Sequence, residues 1–119
     1  MDILYVTPTA AFVILSLVAA GGLLMLGILL ARLPIPSLLG ALHGLGGLIG
    51  VAALYVAFSR TGFVDKALWP LGFLTAALIG GVVLFKLLFK QARPLVFVLG
   101  HGGLAATGLY LLYTLIWAA

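Results

Sequence analysis

Cysteine is absent, acidic residues number only two (Asp2 and Asp65), and the only imidazoles are His43 and His101. Without cysteine the chain makes no disulfide, thiolate metal site, iron–sulfur cluster or thioether-linked haem. Charged residues make up 7% of the 119 residues, whereas a soluble domain carries about a quarter. Such a chain cannot coat itself with charge, so its outer surface is expected to face lipid. The net charge of +4 is small and lies in the turns. It orients the chain and does not mark a nucleic-acid binder. Side-chain catalysis lacks a nucleophile–base–acid set within the apolar runs, which favours an electron-transfer protein or subunit over a stand-alone enzyme.

What is present is apolar sequence, 66% of the chain. A bilayer crossing takes about 20 apolar helical residues. Four such runs fit, at about 8–31, 36–58, 67–90 and 94–117. Each is continuous and too long for a barrel strand. The expected fold is all-α, a single integral-membrane four-helix bundle over residues 1–119. The first run lacks the basic start of a signal peptide and reads as a retained helix. Thr7-Pro8, Pro36-Ser37, Asp65 and Arg93-Pro94 mark the helix starts. Short connections predict up-down-up-down topology, with helices 1 and 3, and 2 and 4, on the diagonals. Arg32, Lys90 and Arg93 share one side, which the positive-inside rule makes cytoplasmic, as in a bacterial inner membrane with both termini outside. Trp69, Trp117, Tyr55 and Tyr113 are expected near the outer interface.

Two segments echo each other at an offset of 58 residues: PSLLGALHGLGGLIGVAALY and PLVFVLGHGGLAATGLYLLY. Pro36 and Pro94, His43 and His101, Gly50 and Gly108, Tyr55 and Tyr113 all keep this spacing. The chain therefore reads as two helical hairpins in parallel repeat, with both imidazoles at one depth about a pseudo-two-fold axis. Each histidine lies about 10 Å along its helix from the starting proline, inside the hydrocarbon. Strongly polar groups there point to function. On the His43 face lie Gly40, Gly47 and Gly50; on the His101 face lie Ala105 and Gly108. Gly21-Gly22 and Gly80-Gly81 fall in the same membrane layer on helices 1 and 3.

A porphyrin suits that layer, held between two axial imidazoles with its edges toward helices 1 and 3. On this reading Gly21, Gly22, Gly47, Gly50, Gly80, Gly81 and Gly108 leave room for the macrocycle. Arg32, Lys90 and Arg93 would then meet its propionates, and neutral imidazole is a common haem-iron ligand. Here the chain resembles the four-helix membrane b-type cytochromes, on its architecture and its two His-Gly positions. The resemblance implies that His43 and His101 are axial ligands of the iron of one haem b per chain. It also implies electron relay to or from a quinone, a partner redox protein or a larger membrane redox complex. Many such cytochromes carry two histidines on each ligand helix and stack two haems; one pair here ligates one haem at most. Two other readings stand beside it: a haem-free accessory subunit held by small-residue packing, and a small metal or proton transporter dependent on the two histidines.

Overall fold

A computed structural model describes residues 6–62, 65–89 and 94–118. Its elements are α1 (Pro8–Leu30), α2 (Ser37–Thr61), a 3₁₀ turn (Asp65–Ala67), α3 (Leu68–Phe89) and α4 (Leu95–Trp117). Helices of 22 to 25 residues run about 33 Å or more at 1.5 Å per residue. All four are long and apolar enough to cross a membrane. None carries a polar face: apolar side chains surround each helix, as expected where the outer environment is as apolar as the core.

Helix ends follow local chemistry. The Thr7 hydroxyl accepts the Ala10 N–H at 3.1 Å, and Pro8 opens α1, where its missing N–H costs nothing. Pro36 and Pro94 sit one place before α2 and α4, with no side-chain cap. Their carbonyls take the N–H groups of Gly40 and Val98. Helix α2 runs three residues beyond the expected end at 58, to Thr61. Ser59 and Thr61 turn their hydroxyls back onto carbonyls of the preceding turn, so these polar residues extend the helix. The chain leaves α2 at Gly62, whose φ of 76° suits glycine. Asp65 opens the 3₁₀ turn that leads into α3.

The end of α1 is less expected. Leu33 N–H donates to the Ile28 carbonyl and Arg32 N–H to that of Leu29, both at 3.1 Å. This is a Schellman closure with Arg32, φ 61°, in the left-handed position that glycine usually takes. Arg32→Gly is expected to raise stability by about 1 kcal/mol by removing the Cβ clash. Thermal unfolding in detergent checks this, and a loss of stability would mean that the arginine side chain itself holds the turn.

Packing joins each helix to its sequence neighbour and α1 to α4, most closely within the pairs α1–α2 and α3–α4. The buried core includes Ala11, Leu15, Leu54, Phe58, Leu71, Leu74 and Leu112. These positions come from the first half of α1 and α3 and the second half of α2 and α4, so the dense core fills the half of the bundle away from Arg32. At that end Phe12, Tyr113 and Trp117 form an aromatic group with centroids 5.1 to 6.3 Å apart. The Tyr55 and Thr75 hydroxyls meet at 3.4 Å between α2 and α3. Large apolar side chains face outward, Leu17 at 70% exposure and Val96 at 81%, and no polar side chain is buried among the described residues.

Candidate functional site

Beyond the margin of the dense core lie the two histidines. On α2, His43 extends toward α1, and its Nδ1–H donates to the Val18 carbonyl at 2.9 Å. On α4, His101 does the same toward α3, donating from Nδ1 to the Ala77 carbonyl at 2.7 Å. These carbonyls are already helix acceptors, and a second lone pair on each takes the imidazole proton. Carbonyls only accept, so each Nδ1 carries a hydrogen, and in the neutral ring Nε2 then holds the lone pair. Among the described residues neither Nε2 has a hydrogen-bond partner, and neither is fully enclosed. The ring centroids are 6.0 Å apart with planes at 77°.

The diglycines explain how each ring is seated. A Cβ on Gly22 would lie 2.9 Å from His43 Cε1, and one on Gly81 would lie 3.0 Å from His101 Cε1. Gly21 and Gly80 stand back, with the ring Nδ1 4.0 and 3.9 Å from their Cβ positions. At Gly22 and Gly81 the space beside the glycine is taken by imidazole. Farther along the helices, Gly50 receives Leu15 and Gly108 receives Leu74, while Gly47 lies against Leu78 and Val18. These three glycines admit aliphatic side chains from neighbouring helices.

Each imidazole is lodged inside its own helix pair, α1–α2 or α3–α4, so the two rings oppose each other across the seam between the pairs. Arg32 is exposed beyond the end of α1, eleven residues before His43. Lys90 and Arg93 lie outside the described residues.

Two features had no clear signal in the sequence. The Val18 and Ala77 carbonyls are backbone groups, which every residue possesses. A lateral groove of about 270 Å³ runs between α3 and α4, lined by Gly80, Val83, Val96, Phe97, Gly100 and Leu104, with His101 in its wall. Gly100 opens this groove; the residue at the matching place on α2 is Leu42.

The separation of the two rings matches the spacing of two imidazoles that share one metal ion. Metal–imidazole bonds are about 2 Å and a ring nitrogen lies about 1 Å from its ring centre, so two rings in line with one ion have centroids about 6 Å apart. Bonding of the far nitrogen to a backbone carbonyl is the usual support for a ligating histidine, fixing its orientation and raising its basicity. Among the described residues no group of three or more His, Cys, Asp or Glu side chains adds further ligands. No protein-family model, curated protein or solved structure matches the chain.

Proposed function

We propose that this chain is a single-haem b-type membrane cytochrome. His43 and His101 are the axial ligands of one haem b, and the chain relays electrons to or from a quinone or a partner redox protein. The observation that carries this reading is the imidazole pair: 6.0 Å between centroids, each Nδ1 engaged and each Nε2 without a hydrogen-bond partner among the described residues. The haem would supply one-electron chemistry; the protein residues hold the ligands and set their surroundings. Val18 and Ala77 fix ring orientation, Gly22 and Gly81 allow the rings to lie close to α1 and α3, and the apolar walls exclude water.

The architecture that goes with this reading is an up-down-up-down bundle of two hairpins in parallel repeat, in a bacterial inner membrane with both termini outside. Matching contacts support the repeat. His43 on Val18 and Gly22 corresponds to His101 on Ala77 and Gly81, and Leu15 at Gly50 corresponds to Leu74 at Gly108. The offset is 58 residues on α2 and α4 and 59 on α1 and α3, a one-residue difference absorbed between the helices.

A second reading is favoured by the glycine seats. In a haem-free structural subunit, the imidazoles would staple α1 to α2 and α3 to α4 through their carbonyl bonds, which is consistent with small-residue packing in lipid. The visible spectrum of protein expressed with ample haem separates the two. The cytochrome should show a Soret band that shifts on dithionite reduction, and His43→Ala and His101→Ala should each abolish or strongly weaken it. A colourless protein would overturn the cytochrome reading, and retention of full colour by either variant would overturn the bis-histidine assignment.

A further inference from the structure

We propose that the haem-free chain binds one monovalent d10 cation, Cu(I), between His43 and His101 in two-coordinate geometry. The proposal rests on the same imidazole pair as the haem reading but requires no macrocycle.

Coordination number is the first argument. The site offers two nitrogen donors, and among the described residues no third His, Cys, Asp or Glu joins them. Zinc takes four ligands in closed sites. Cu(I) and Ag(I) accept two nitrogen donors in line, and imidazole is a suitable donor for copper. The 6.0 Å centroid separation is close to the spacing of two such rings about one ion.

Charge is the second. A ring that binds the ion through Nε2 does so as neutral imidazole, so the loaded site carries only the charge of the ion. The penalty for placing an ion in apolar surroundings grows with the square of its charge, and among the described residues no carboxylate joins the pair to offset it. A monovalent ion is therefore preferred over Zn(II) or Cu(II). The third argument is access, because His101 lies outside the dense core and in the wall of the groove between α3 and α4.

The test uses the full chain, purified in detergent from haem-depleted cells. Ag(I) serves as a redox-inert probe, and Cu(I) is presented under reducing conditions against a competing chelator. One equivalent of Ag(I) or Cu(I) should bind per chain, with Zn(II) at least about 100-fold weaker. Loss of an outer-sphere partner alone costs about 10- to 100-fold in metal affinity, so His43→Ala or His101→Ala should each cost at least about 100-fold. X-ray absorption on the unsubstituted Cu(I)-loaded protein should show two nitrogen neighbours at about 2 Å, a result that does not depend on the variants folding. Absence of stoichiometric binding, a first shell of three or more donors, or Zn(II) bound as tightly as Ag(I) overturns the proposal. A missing Soret band leaves it standing, and failure to bind Ag(I) leaves the haem reading standing.

Discussion

Gly108→Ala is expected to destabilise the bundle by about 2 kcal/mol, roughly twice the cost of Gly50→Ala, although both glycines admit a leucine from the neighbouring helix. A methyl at Gly108 would lie 2.7 and 2.9 Å from Leu74 Cγ and Cδ2 and 3.2 Å from the Leu74 backbone nitrogen. Side-chain rotation relieves the first two contacts, but the third requires the backbones of α3 and α4 to separate. At Gly50 the nearest atoms, 2.5 to 3.4 Å away, all belong to the side chains of Leu15 and Ile14, which are able to shift. Alanine gains about 0.5–1 kcal/mol of helix propensity at either site, which offsets part of the overpacking cost of about 1–3 kcal/mol. Gly102→Ala is the control: nothing lies within 4 Å of its Cβ position, so only the propensity gain remains and the protein should become slightly more stable. Reversible unfolding in mixed micelles measures all three. Equal effects at Gly102 and Gly108 would show that helix contact does not decide which glycines are required.

The second large effect is expected at the imidazole seats, where neighbouring glycines should behave differently. Gly81→Ala places a methyl 3.0 Å from His101 Cε1, and Gly22→Ala places one 2.9 Å from His43 Cε1. Each ring is tethered by its Nδ1–H to a carbonyl on the same helix as the new methyl, so it cannot retreat without stretching that bond. Loss of one such hydrogen bond with mild overpacking amounts to about 1–3 kcal/mol. Any ligand held by Nε2 should weaken as well. Gly21→Ala and Gly80→Ala meet the ring only at 4.0 and 3.9 Å, ordinary van der Waals distance, and should be tolerated. If the diglycines instead cleared space for a macrocycle edge, Gly21 and Gly80 would be as sensitive as Gly22 and Gly81. Spectral or Ag(I) titration of the four variants, together with their unfolding curves, distinguishes these outcomes.

The sequence revealed the helices well and their occupants poorly. Continuous apolar runs flanked by prolines and charges located all four helices, because an apolar helix has few ways to hide its ends. The end of α2 was misplaced: Ser59, Arg60 and Thr61 read as connection, yet two of their hydroxyls satisfy carbonyls within the helix. The layer shared by the histidines and diglycines was legible because a missing Cβ is written in the sequence. What enters the space left by that Cβ is set by a neighbouring helix and its rotation, and residue spacing along one chain does not specify it. Residue spacing thus does not name the imidazoles that lie at Gly22 and Gly81 or the leucines at Gly50 and Gly108. Arg32 gave no hint of its left-handed backbone, since arginine is rarely chosen for that conformation.

The bonds from His43 to Val18 and from His101 to Ala77 span 25 and 24 residues, whereas Phe12 meets Tyr113 and Trp117 across about a hundred. Short loops close early and at low entropic cost, and long ones close late. During synthesis each histidine therefore acquires its carbonyl partner as soon as its own pair of helices has emerged. The first imidazole waits, oriented and without its counterpart, until α4 is made and the aromatic contact joins it to α1. A ligand that needs both rings thus requires all four helices, and a product that stops before α4 would hold one correctly turned histidine and bind nothing between two.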